Sequence, residues 1–115
     1  MDIYPTLAGL AGLPLPDGLE GTSFVPLLDD PKTPWKESAI SEYPKGGHRG
    51  FAMRTDRYRY VEWYDRAGQL ADRELYDHQA DPQENQNVAG KPENAALIER
   101  LAAELEASRA ARKAQ

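Results

Sequence analysis

Lys45, His48 and Arg49 crowd around the Gly46-Gly47 pair, and no other short stretch of this sequence is better equipped to meet an anion. An arginine fork matches the planar geometry of carboxylates and related oxyanions, and a lysine adds a compact point charge. Pro44, Gly46, Gly47 and Gly50 lie among them, so Tyr43–Gly50 reads as a flexible loop whose backbone can come close to a ligand. The plainer alternative is a solvated loop between two strands. The three residues also open a basic island. From Lys45 to Arg59, five basic residues (Lys45, Arg49, Arg54, Arg57, Arg59) meet one acid, Asp56, in a chain of net charge −5. Such an island points to an anionic partner, or to arginines paired with acids on neighbouring strands.

Other chemistry is harder to find. There are no cysteines, which excludes disulfides, zinc–thiolate sites and thiol nucleophiles. His48 and His78 are the two histidines, and no H-E-x-x-H spacing occurs. His78, following Asp77 at a turn, reads as structural. Asp29-Asp30 ahead of Pro31 could be metal ligands, but adjacent acids before a proline are more often a solvated turn. No G-x-S-x-G nucleophile elbow and no G-x-x-x-x-G-K phosphate loop is present. The many carboxylates single out no glycosidase-like pair. No catalytic residue and no metal ligand is therefore assigned. An acidic chain without a recognition motif excludes nucleic acid as a partner. No apolar run has membrane-spanning length, and no charged region leads into an apolar signal core.

The elements that must position the basic island follow from patterning. The 115 residues suffice for one small domain. Leu, Ile, Val and Phe make up about 17% of them, below the ~20% mark at which disorder competes. Six Tyr and two Trp supply the missing apolar surface. The expectation is a folded piece with a meagre core that leans on something larger. Asp2 can cap a short helix, Pro5 sits in its first turn and Gly12 suits its exit. Ile3, Leu7, Leu10 and Ala11 share one of its faces. Such a start is abrupt, which fits Met1 as an internal methionine or the first residue after a truncation. Residues 13 to 36 hold five of the nine prolines and read as a long surface connection. Within it, Ser23 can cap one turn that points Phe24, Leu27 and Leu28 inward.

Residues 38 to 43, 51 to 54 and 58 to 64 then read as strands, the last (YRYVEWY) most strongly. Thr55-Asp56-Arg57 and Arg66-Ala67-Gly68 suit reversals, after which Glu74-Leu75-Tyr76 can pair as a fourth strand. Short connections require antiparallel pairing. Asp81-Pro82-Gln83-Glu84 has the form of a capping box that opens a helical turn. A longer helix from about Pro92 to Ala110 buries Leu97, Ile98, Leu101 and Leu105 and wets Glu99, Arg100, Glu104 and Glu106. The predicted fold class is α+β: an antiparallel sheet of about four strands, one helix on one face, and a short N-terminal helix.

Four segments carry a resemblance. MDIYPTLAGLAG (Met1 to Gly12) resembles the D-I-x-P-T-L segment near the end of the sulfatase catalytic domain. LEGTSFVPLL (Leu19 to Leu28) is similar to the G-x-S-x-x-P-x-L segment that follows it. AISEYP with RTDRYRYVEW resembles the strand pair of the sulfatase C-terminal subdomain, and ELYDHQADPQENQNVA (Glu74 to Ala89) its E-L-Y-D-x-x-x-D-P-x-E-x-x-N. All four come in family order, and EYP followed by RTDRYRY-x-EW is most like the iduronate 2-sulfatase branch. The resemblance implies metal-dependent sulfate ester hydrolases of the alkaline-phosphatase-like superfamily, with a formylglycine nucleophile made from C/S-x-P-x-R. That motif is absent here. It also implies calcium held by carboxylates and an Asn or Gln outside this segment, so no ligand is carried over.

On this reading, residues 1–36 are the tail end of a catalytic domain and residues 37–115 the C-terminal subdomain. The chain is then inactive alone, and its partner is the catalytic domain. Lys45, His48 and Arg49 become substrate-binding candidates for an anionic sulfated sugar. A standalone module for anionic sugars, or the tail of a related phosphonate or phosphodiester hydrolase, remain alternatives. The fragment reading expects an exposed apolar face on the first helix, and the module reading expects that face to be covered. Many family members are exported, but the compartment is not legible from these residues.

Overall fold

The computed structural model describes residues 1–113. They form two compact units, one running from Lys36 to Ser108 and one comprising Met1–Trp35 with the residues from Arg109 on.

In the larger unit, β1 (Ala39–Lys45), β2 (His48–Arg54), β3 (Tyr58–Tyr64) and β4 (Leu70–Asp77) form one sheet in sequence order. Every pairing is antiparallel. β3 has the predicted bounds, because alternating aromatic and β-branched residues leave little choice. β1 and β2 run further than expected. The segment read as a flexible loop is instead the tip of a hairpin, closed by Gly46 (φ +59°) and Gly47 (φ +86°). Two consecutive positive φ values define the turn that matches strand twist. Pro44 is tolerated because β1 is an edge strand, where a missing N–H breaks no interior ladder. The other predicted reversals hold. Thr55 N–H donates to Tyr58 O, and Asp65 Oδ1 accepts the N–H groups of Ala67 and Gln69.

One face of the sheet carries the core. Met53 pairs with Tyr60 and Tyr60 with Leu75, which sets these side chains in a row across three strands. α3 (Ala95–Lys113) covers them with Ile98, Leu101 and Leu105. Met53, Tyr60, Leu75, Leu101 and Leu105 are fully buried. Leu97, expected in this stripe, sits at its margin and is half-buried. The helix begins later than predicted, since Pro92–Asn94 close as a tighter 3₁₀ turn. This helix-on-sheet pair is the α+β architecture expected from the pattern.

The capping-box expectation at Asp81 fails. No helix forms there, and Glu84 adopts φ +56°. Its carboxylate is claimed by Arg59 on β3 and by His78 Nε2, so the side chain that would have reached back to the cap is committed elsewhere. Asp81 still organises the turn by accepting from Gln86 N–H and Asn85 Nδ2. The chain then returns along β4. Asn87 Oδ1 accepts Leu75 N–H, its Nδ2 donates to Arg73 O, and Val88 N–H donates to Leu75 O. These contacts satisfy part of an otherwise open edge.

The smaller unit contains α1 (Ile3–Leu10) and α2 (Val25–Asp29). Asp2 precedes α1 but makes no side-chain cap. Its Oδ1 instead accepts Thr22 N–H, while Thr6 Oγ1 donates to Asp2 O and accepts Phe24 N–H. Gly12 exits with φ +67°, as its glycine predicts. Pro5, Thr6 and Ala8 are the buried residues of α1. Ser23 Oγ accepts Val25 N–H ahead of α2, but Leu28, predicted to point inward, is 57% exposed. In a helix of five residues only one side can be covered, and Phe24 and Leu27 take it as half-buried groups.

Candidate functional site

The hairpin tip sets its basic residues on two faces. Lys45 and His48 are register partners, so strand alternation puts them on the same side of the sheet. Tyr43, Gly50 and Trp63 follow on that side as successive partners across three strands. Gly50 has no side chain for a reason: a Cβ there would meet Trp63 Cζ3 at 2.8 Å and Cη2 at 2.9 Å. Trp63 Nε1 donates to Glu74 Oε1, whose second oxygen accepts from Tyr76 Oη. Tyr43 is 62% exposed. An exposed tyrosine and a half-exposed tryptophan beside a lysine and an imidazole form a surface suited to a sugar ring bearing an anion.

Arg49 lies one residue on and therefore on the core side. Its Nε donates to Glu42 Oε1 at 2.8 Å, the guanidinium forms an ion pair with the same carboxylate, and its Cζ sits 5.5 Å from the centroid of the Phe51 ring. The three sequence-predicted residues are thus brought to one hairpin, yet only Lys45 and His48 share a face. Neither of these two side chains has a hydrogen bond or ion pair with the described residues.

The rest of the basic island is spoken for. Arg57 holds Asp77 through two hydrogen bonds of 2.9 and 2.6 Å, and this pairing keeps the Asp77 carboxyl down at about 2. Arg59 holds Glu84 and lies over the Tyr76 ring. Burial pushes Glu84 upward, but the hydrogen bonds from His78 and Arg59 outweigh it and leave its pKa below the ordinary value. Arg54 donates to the carbonyls of Thr55 and Tyr58. Pairing with acids on neighbouring strands was one of the two readings of this island: Arg49 with Glu42 of β1 and Arg57 with Asp77 of β4 fit it, whereas Arg59 takes Glu84 from the turn after β4. His78, taken as structural, is the second donor to Glu84.

Two groups escaped sequence reasoning. Glu62 is 5% exposed on the core side, where it accepts from Tyr60 Oη (2.8 Å) and Tyr64 Oη (2.6 Å), with Arg73 Nε at 3.8 Å. Burial and the bond to Glu62 push the Tyr60 hydroxyl pKa up. In the sequence, Glu62 is one acid inside YRYVEWY, and only its flanking tyrosines hinted at a polar partner inside. Arg66, from the β3–β4 turn, rests against Gly47: a Cβ on Gly47 would collide with Arg66 Nε and lie 3.0 Å from its Cζ. Nothing in the spacing of residues 47 and 66 signals that approach.

Among the described residues no three of His, Cys, Asp or Glu come together as a metal site. The calcium that the resemblance implies was expected on ligands outside this segment, and no residue here is assigned to it. No helix of the described residues is long and apolar enough to cross a membrane.

Residues 1–111 match the family "N-sulphoglucosamine sulphohydrolase, C-terminal". The chain belongs to the sulfatase family. It is 33% identical over 103 residues to an N-acetylglucosamine-6-O-sulfatase of Bacteroides thetaiotaomicron, covering 83% of this chain and 18% of that protein. It is 32% identical over 118 residues to arylsulfatase K of Gallus gallus (88% and 20%), and 31% over 112 residues to an ulvan-active sulfatase of Formosa agariphila (90% and 20%). A solved structure described as a complex with its substrate D-glucosamine-2-N,6-O-disulfate superposes with a TM-score of 0.84 at 27% identity, over 99% of this chain and 24% of that one. The chain thus spans about a fifth of the length of these sulfatases. The similarity is to sulfatases broadly and does not single out an iduronate 2-sulfatase branch. This 115-residue chain matches a sulfatase C-terminal segment and contains no C/S-x-P-x-R, the motif from which the formylglycine nucleophile is made.

Proposed function

We propose that this segment completes a sulfuric ester hydrolase whose substrate is a sulfated saccharide, with Lys45 and His48 facing that substrate and Arg49 supporting the hairpin that carries them. The observation that carries this reading is the pair of unengaged basic side chains, Lys45 and His48, beside Tyr43 and Trp63 on one face of the tip. Arg49 keeps 63% of its side chain exposed despite Glu42, so it can still offer donors on the opposite side. The branch acting on 2-sulfated uronic sugars is supported by EYP and RTDRYRYVEW, and a relative acting by name on 2-O-sulfated hexuronate is 31% identical.

Residues 1–36 belong, in this proposal, to the end of the catalytic domain and residues 37–115 to the C-terminal subdomain. Support comes from the compact unit that begins at Lys36. The partner is the rest of the sulfatase polypeptide, which would supply formylglycine and bound calcium. Ile3, Tyr4, Leu7 and Leu10 are 57–66% exposed on α1, and an apolar face of this kind favours the fragment over a self-contained module.

The test is kinetic. In a full-length sulfatase containing this segment, Lys45→Gln and His48→Gln should raise KM for a sulfated saccharide more than they lower kcat. Unchanged kinetics in both variants would refute the assignment. Hydrolysis of a sulfated sugar by the purified 115-residue chain would refute the division of labour.

A further inference from the structure

Resting on the reading of the hairpin tip as substrate-facing, we infer that Arg66 is a third saccharide-binding residue of that tip, held there by the bare Cα of Gly47. In a meander, the β1–β2 and β3–β4 turns lie at the same end of the sheet, and here they touch. Arg66 Nε, Cζ and Nη2 all pack on Gly47, between Lys45 and His48 in sequence. Gly47 therefore serves twice. Its positive φ closes the turn, and its missing side chain leaves the space that the guanidinium fills.

The electrostatics favour an incoming anion over an internal partner. Arg49, Arg57, Arg59 and Arg73 each meet a carboxylate, whereas Arg66 has no hydrogen bond or ion pair with the described residues. The acids at this end are engaged. Glu42 takes Arg49, Asp65 Oδ1 accepts two backbone N–H groups, and Asp72 Oδ1 accepts Arg73 N–H. Three basic side chains at one tip, Lys45, His48 and Arg66, thus remain available together. Arg66 also brings what the other two lack: a planar fork that can hold two oxygens of one sulfate or carboxylate. The occupant is an anionic saccharide, with its oxyanion on the guanidinium and its ring toward Tyr43 and Trp63.

Calorimetric titration of the 115-residue chain with glucosamine 2-N,6-O-disulfate, at low ionic strength, tests this. Unsulfated glucosamine and inorganic sulfate are the comparison ligands. Arg66→Gln should weaken binding of the disulfate about tenfold, the loss expected for one charge-assisted contact. Arg66→Lys should recover part of it, and Arg100→Gln on α3 should change nothing. Gly47→Ala, which displaces the guanidinium without removing charge, should weaken binding as well. If Lys45→Gln weakens binding but Arg66→Gln does not, Arg66 is refuted and the proposed function stands. If the wild-type chain binds inorganic sulfate as tightly as the disulfate, the saccharide assignment is overturned. Absence of any wild-type binding overturns this inference and the substrate-facing role of the tip together.

Discussion

Trp63 lies against Gly50 across the β2–β3 pair, with three ring atoms within 3.0 Å of where a Cβ would stand. The indole is anchored by Glu74 and cannot swing clear without giving up that bond. Gly50→Ala should therefore destabilise the sheet by about 1–3 kcal/mol, despite the smaller gain from a less flexible unfolded chain. Gly90→Ala, with open space around its Cα, is the control and should cost far less. Urea midpoints for the two variants check this.

Buried Glu62 depends on its two tyrosine donors. Tyr60→Phe keeps the ring that fills the core but removes one hydrogen bond from a nearly dry carboxylate, and should cost about 1–3 kcal/mol. Phe51, which contacts the Tyr64 ring edge-on at 5.8 Å, shares the same region, so Tyr60→Phe combined with Tyr64→Phe should be non-additive. A double-mutant cycle by denaturation measures that coupling.

Acid should loosen the Arg57–Asp77 clasp. The Asp77 pKa is lowered in the folded state, from 3.8 to about 2, through its bonds with Arg57. A depressed carboxylate adds stability that is fully present above its unfolded pKa and disappears as pH falls through the folded one. The loss should thus run from about pH 4 to about pH 2, with Glu84 and Asp81, also lowered, adding to it in the same direction. Asp77→Asn should flatten this limb of a stability–pH curve, while leaving the neutral-to-basic range unchanged in slope.

The apolar face of α1 is available for substitution in the isolated chain. Leu7 and Leu10 are 61% and 59% exposed, so Leu7→Glu with Leu10→Glu should shift stability by no more than about 0.5 kcal/mol each. Self-association should fall at the same time, as read by light scattering. In a full-length sulfatase the same changes should lower the yield of folded enzyme.

How much of this was legible in the sequence depended on the range of the interactions. β3, the turn at Thr55–Arg57 and the stripe Ile98–Leu101–Leu105 follow from short-range alternation or helical spacing, and each stands where the pattern put it. Pro44 and the Gly46-Gly47 pair hid the ends of β1 and β2, because residues that break interior strands are permitted at an edge and in a tight turn. The capping box at Asp81 misled because Glu84 answers to Arg59, distant in sequence, rather than to its own turn. Lys45, His48 and Arg49 were singled out as candidates by type alone. That Lys45 and His48 share a face while Arg49 does not is a matter of register, and Arg66 came into view only when two turns met.

Asn87 has a broader effect than the hydrogen bonds it makes. By standing where a fifth strand would begin, its amide leaves no room for another backbone beside Leu75. Any polypeptide that extends this sheet over its full width would have to arrive along β1, whose outer rim is wet and whose Pro44 offers no hydrogen to the newcomer. Growth is thus blocked on one flank and discouraged on the other, which favours a sheet that stays at four strands however long the surrounding protein becomes.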